Sequence, residues 1–165
     1  MFCNICRRFC CCCNTAPCNK GEAWTTDVKN WNFVKAHDPV TLVFDGFKTT
    51  ENIGKSDDNT ALAIRRSGCY DLEYLVNVSN FEPTDSSAYN GIEVYLTVNG
   101  NPISQPVRVD PTNTVKGIKT TVAADRISSV KLCRCNEISV VIRTTSNGKA
   151  LTVTPSAWLD AYFVC

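Results

Sequence analysis

The sequence has one histidine, one methionine and no surplus of either charge, with 17 Lys and Arg against 16 Asp and Glu. A single histidine makes any Ser-His-Asp or Cys-His device depend on His37, which sits in His37-Asp38-Pro39 and reads more simply as a solvated loop residue. Balanced charge excludes the basic face that a phosphate backbone demands, so nucleic acid is not an expected partner. No apolar run approaches the roughly 18 residues of a spanning helix. Arg7 and Arg8 interrupt the stretch where a secretory leader needs continuous apolar residues. Neither a membrane partner nor a signal peptide is expected, and synthesis in a cytosol follows. Glycine-rich phosphate loops are missing, and Asp57-Asp58 lies in a polar turn suited to hydration. No catalytic, cofactor or metal residues are assigned, and an enzyme is not expected.

What the chain does have is a core-forming composition and an excess of cysteine. Hydrophobic residues make up 44% and charged residues 20% of 165 residues, enough for one ordinary domain with a small appendage. Of 11 cysteines, Cys3, Cys6, Cys10, Cys11, Cys12, Cys13 and Cys18 crowd the first 18 residues, while Cys69, Cys133, Cys135 and Cys165 are spread through the rest. An odd total cannot pair fully within one chain, and disulfides in a chain without an export signal are a contradiction.

Residues 1–20 read as a cysteine-rich connector arm without a core, residues 21–38 as a linker carrying Trp24 and Trp31, and residues 39–165 as the folded domain. In that domain short β-branched and aromatic runs alternate with turn residues, the pattern of an all-β sandwich or barrel of about 8–10 strands. In Ile92–Val98 the apolar residues Ile92, Val94, Leu96 and Val98 share one face, which predicts a half-buried strand. Asn99-Gly100 predicts a two-residue hairpin turn into residues 103–109, a partner made an edge or a broken strand by Pro102 and Pro106. A second hairpin is expected at Asn147-Gly148, joining 138–144 to 150–154. Alternation recurs over Tyr70, Leu72, Tyr74, Val76 and Val78, and a last strand over 158–164. Weaker strands are expected at 40–44, 61–64, 114–122 and 127–132.

In an extended arm Cys10 and Cys12 face one side while Cys11 and Cys13 face the other. Neighbouring cysteines seldom bond to each other, because their Cα atoms lie about 3.8 Å apart where a relaxed disulfide wants about 4.4–6.8 Å. Such an arm suits two different surfaces, and about 20 extended residues reach roughly 60–70 Å, well past a domain of this size. Zinc is an alternative, with Cys3 and Cys6 at C-x-x-C spacing and Cys133 with Cys135 completing a set, although a ribbon expects two such knuckles. Palmitoylation lacks the amphipathic helix or polybasic neighbour that would support it. Cys69 reads otherwise as a small buried hydrophobe, Cys165 as a frayed terminal thiol, and Cys133 and Cys135 as sharing one face of their segment. Asn77-Val78-Ser79 matches a glycosylation acceptor but reads as strand. Trp24 and Trp31 could stack on carbohydrate; a latch over a sheet or neighbour is the commoner use.

The stretches Ser67-Gly68-Cys69-Tyr70-Asp71-Leu72, Val94-Tyr95-Leu96-Thr97-Val98-Asn99-Gly100, Ile138-Ser139-Val140-Val141-Ile142 and Ala157-Trp158-Leu159 resemble the jelly roll of the C1q and tumour-necrosis-factor-like superfamily. The likeness is greatest to the tips of exosporium glycoproteins, whose collagen-like Gly-X-Y stalk is missing here. The arm, with Cys10 to Cys13 and Cys18, is similar instead to the connector of endospore appendage pilins, which disulfide-bonds neighbouring jelly-roll subunits. Those resemblances imply a structural, self-assembling subunit of a disulfide-cross-linked filament or coat layer on the spore surface, reached when the mother cell lyses. Its expected partners are copies of itself and other spore-coat or appendage proteins. Arm cysteines, Cys3 and Cys6 included, would bond to Cys69, Cys133, Cys135 or Cys165 as receiving thiols. The alternative is a trimeric C1q-like cap that recognises a surface ligand.

Overall fold

The computed structural model describes residues 19–33, 35–79, 81–84, 91–109, 120–153 and 157–165. All seven arm cysteines, Cys3 to Cys18, lie outside them. The described residues form strands and no helix: β1 (Lys20–Trp24), β2 (Lys29–Phe33), β3 (Val40–Thr41), β4 (Gly46–Lys48), β5 (Ile53–Lys55), β6 (Leu62–Ile64), β7 (Gly68–Ser79), β8 (Glu82–Pro83), β9 (Ile92–Val98), β10 (Asn101–Pro102), β11 (Val107–Val109), β12 (Thr120–Leu132), β13 (Glu137–Thr144), β14 (Gly148–Val153) and β15 (Trp158–Phe163). They pair into two antiparallel sheets. The first runs β2-β14-β7-β15-β1-β4, with β12 also on β7 and β8 on β14; the second runs β10-β9-β13-β6-β5, with β11 on β9 and β3 on β13.

Period-two alternation in β7 explains why the sheets close on each other. Tyr70, Leu72, Tyr74, Val76 and Val78 are fully buried on one face while Asp71, Glu73 and Asn77 face outward. Ile92, Val94 and Leu96 of β9 meet them from the second sheet, together with Ile138, Val140 and Ile142 of β13. The Tyr74 hydroxyl donates to the Val94 carbonyl at 2.9 Å, a buried bond between the sheets. Burial pushes that phenol upward from its ordinary pKa, so it stays a neutral donor.

Several expectations change on contact with the structure. The segment read as a linker contributes β1 and β2, paired with β15 and β14. Ala23 is fully buried and Phe33 nearly so, but each apolar residue stands alone among polar ones, too sparse for a period to show. β9 is buried on both faces rather than one, because Glu93, Tyr95 and Thr97 are covered on the outer side as well. Asn99-Gly100 does turn, with φ of 50° and 76°, and the partner strand is broken into β10 and β11. Asn147-Gly148 makes no hairpin, since β13 belongs to the second sheet and β14 to the first. There the Asn147 side chain accepts from the Ala36 amide at 2.6 Å and its carbonyl from Thr84 at 2.9 Å, so the turn residues tie loops together at a crossing. The described parts of 114–122 and 127–132 are one strand, β12, bent by an irregularity between Ile127 and Val130 where the Ser129 amide donates to Asp71 at 2.9 Å. Short extra segments such as β4 and β5 raise the strand count to fifteen among the described residues, above the 8–10 expected.

Candidate functional site

Four cysteines that sequence scatters over nearly a hundred positions meet at one end of the sandwich. Cys69 opens β7, and its amide donates to the Cys165 carbonyl at 2.6 Å. The Cys69 carbonyl in turn accepts from the Val164 amide at 2.8 Å. Across the other edge of β7, Lys131 of β12 is the register partner of Cys69, and Cys133 follows two residues on. The chain then turns tightly. The Asn136 amide donates to the Cys133 carbonyl at 3.0 Å, and the Asn136 side chain accepts from the Cys133 amide at 2.7 Å. The Cys135 amide donates across to Ile64 at 2.8 Å, and the Arg134 amide to the Ser67 hydroxyl at 2.9 Å, fastening this turn to the β6–β7 connection.

Close packing of the strand ends builds this pole. At Gly68 a Cβ would come within 2.4 Å of the Cys165 carbonyl oxygen and 2.5 Å of the Phe163 ring, so only glycine lets the terminal strand lie this near. The Phe163 ring meets Tyr70 edge-on at 5.3 Å, and the Arg66 guanidinium lies 4.7 Å from its centroid. The Tyr70 hydroxyl donates to the Arg66 carbonyl at 2.6 Å, and burial pushes the phenol up to about 12.

Cys69, Cys133 and Cys165 are half-buried and Cys135 is exposed, all four as thiols. Cys69 is thus not the small buried hydrophobe that its sequence neighbourhood suggests. Cys133 and Cys135 do not share a strand face: they occupy a turn in which Cys135 takes a left-handed φ of 71°. The cysteine arm joins the fold at the same pole, for the Asn19 carbonyl accepts from Phe163 at 3.0 Å and Lys20 pairs with Tyr162. Asn19 therefore lies one register step from the level of Cys69, two strands away. The strand ends that carry these thiols were visible in the sequence, but their convergence depends on strand order, which periodicity does not encode.

The other singled-out residues fall elsewhere. His37 is exposed with φ of 66°, its amide donating to Thr144 at 2.8 Å. Asp58 closes its turn by accepting from Ser56 and Thr60. Val78 and Ser79 of the apparent glycosylation acceptor are buried in β7. Trp31 lies on β2, packed against the core. Among the described residues no group of three or more His, Cys, Asp or Glu side chains is placed to hold a metal ion. The zinc alternative draws on Cys3 and Cys6, which are not among them.

The sequence matches no protein-family model and no curated protein. The three-dimensional arrangement, by contrast, is similar to many solved chains. Among them is the Eiger TNF of S. frugiperda, 10% identical, with 91% of this chain and 94% of that chain covered at a TM-score of 0.52. Murine APRIL is another, 12% identical, with 89% and 99% covered at 0.53. What this likeness establishes is the fold, which is an all-β, TNF-like jelly roll.

Proposed function

We propose that the chain is a self-associating cap, in which jelly-roll subunits stand side by side with their thiol poles together and present their outer faces to a ligand. The observation that carries this reading is the shared pole: the root of the arm and four thiols lie at the same end of the subunit. Subunits arranged about a common axis bring their poles to one place, where arms and thiols of different chains can bond over short distances. Head-to-tail stacking instead sets successive poles a subunit length apart, about 40 Å for a 13-residue strand such as β12. A closed trimer is what the resemblance to C1q-like domains implies. The spore surface is the setting we propose for it, on the likeness of the arm to appendage connectors.

An open-ended filament is the second reading, and β12 favours it. This strand pairs with β7 alone among the described residues, and Val122, Ala124 and Arg126 are exposed on it, so it offers a long edge to another chain.

Oxidised full-length protein on a non-reducing gel separates the two. The cap predicts a ladder ending at about three times the 18.2 kDa chain, and the filament a ladder that continues into the well. Changing Cys69, Cys133, Cys135 and Cys165 together to Ser should remove most of the ladder while the reduced protein keeps its unfolding midpoint. An unchanged ladder in that variant would place the cross-links within the arms and remove the pole from the account.

A further inference from the structure

On the outer face of the first sheet, 
Trp24 of β1 stands directly opposite Trp158 of β15, with Glu22 opposite Asp160 and Lys20 opposite Tyr162 in the next rows. Ala23, Leu159 and Ala161 are fully buried, so the alternating set points away from the core. The Trp24 indole lies across Gly46 of β4, where a Cβ would come within 2.2 Å of the ring; a side chain there would push the indole off the sheet. Both indoles, with Lys20, Glu22 and Asp160, line an open pocket of about 350 Å³, within the size range of small-molecule sites.

The polar side of this pocket is held in place. The Lys20 ammonium bonds Glu22 and reaches Asp160 Oδ2 at 2.9 Å, and the Tyr162 hydroxyl donates to the same oxygen at 3.3 Å. Lys48 lies 3.7 Å from the other Glu22 oxygen. The Asp160 side chain is only 9% exposed, and the bonds from Lys20 and Tyr162 both fall on its Oδ2. Burial pushes the Asp160 carboxyl upward and Lys20 opposes it, whereas the Lys20 bond holds Glu22 below the usual carboxylate range.

Lys20 stands against the carboxylates of Glu22 and Asp160 in the lining, and Lys48 beside Glu22 is largely in solvent, so the pocket has no excess of positive charge with which to hold an anion. Acceptor and donor sit side by side, matching a hydroxyl, which is itself both. The indoles supply flat apolar faces at the same depth. One buried carboxylate and a half-buried ion pair beside aromatic planes, with no excess of positive charge, fit an uncharged ring bearing several hydroxyls. We propose that this pocket binds a neutral carbohydrate, one pyranose unit against Trp24 and Trp158 with its hydroxyls on Asp160, Glu22 and Lys20. The proposal names a ligand class for the cap reading and rests on it only in that a cap presents this face. Trp31, on β2, takes no part.

The test uses reduced full-length protein titrated with a panel of neutral sugars, glucose, galactose, rhamnose and N-acetylglucosamine with their short oligomers, read by tryptophan fluorescence and saturation-transfer NMR. At least one should bind saturably, with affinity lowered about tenfold or more by Asp160→Asn and by Trp24→Ala, partly restored by Trp24→Phe, and unchanged by Trp31→Phe. Glucuronate and inorganic phosphate serve as charged controls and should not compete. Absence of binding across the panel, or binding that survives both Trp24→Ala and Trp158→Ala in folded protein, would overturn the site. Loss of assembly in those two variants, seen by light scattering without any sugar response in the wild type, would assign the face to a protein contact and also overturn it. The particle mass of the wild type is read separately, so failure of the cap reading shows as a changed mass and failure of the sugar site does not.

Discussion

Replacing Tyr74 by alanine is expected to lower the stability of the reduced protein by about 3–5 kcal/mol, a large part of the roughly 5–15 kcal/mol that holds a domain together. The ring is fully buried at the middle of β7, and its hydroxyl reaches across to the β9 carbonyl of Val94. Alanine therefore leaves a ring-sized cavity and removes the bond between the sheets at once. Phenylalanine keeps the ring and removes only the bond, so Tyr74→Phe should cost about 1–2 kcal/mol. Urea midpoints followed by circular dichroism check the pair. Equal losses for both variants would mean that the hydroxyl, not the packing, fastens the sheets.

The second large effect is expected on the outer face of the second sheet. Glu93 is 2% exposed, with Arg143 Nε at 2.6 Å and Arg108 Nε at 2.7 Å. Arg143 also lies over the Tyr95 ring at 5.4 Å. Removing both guanidiniums by Arg108→Ala with Arg143→Ala leaves a carboxylate in a covered site without a counter-charge, at a cost of about 3 kcal/mol, the low end for a broken buried pair because water can follow. Either single variant should cost much less, since one arginine remains. Adding Glu93→Met to the double variant should recover most of the loss. If it does not, the arginine stems, through packing, rather than the charge, hold this face.

Strand content was largely legible where alternation is dense, as in β7, β9 and β15, because burial of one face imposes a period of two. β1 and β2 were not legible, because Ala23 and Phe33 seal the core among polar neighbours that face outward. Asn147-Gly148 misled for a different reason. Turn chemistry specifies a local bend but not whether the next strand joins the same sheet or the opposite one. Glu93 is likewise not legible, because alternation with Ile92 and Val94 puts its charge on the solvent side of β9. The clue was there in Arg108 and Arg143, but matching them to Glu93 needs the register of β9 against both β11 and β13. The cysteines show the same division. Their identities stood out, whereas the meeting of Cys69, Cys133, Cys135 and Cys165 near the root of the arm depends on contacts between β7, β12 and β15 that are distant in sequence.

The mass of the oxidised full-length protein by light scattering in concentrated guanidinium, with and without reductant, tests the joined poles most directly. Denaturant removes every contact made by burial and leaves disulfides intact, so what remains together is covalent. The account predicts a particle of three chains without reductant and the 18.2 kDa chain with it. Complete release of single chains without reductant, or a mass that grows with protein concentration during oxidation, would contradict it.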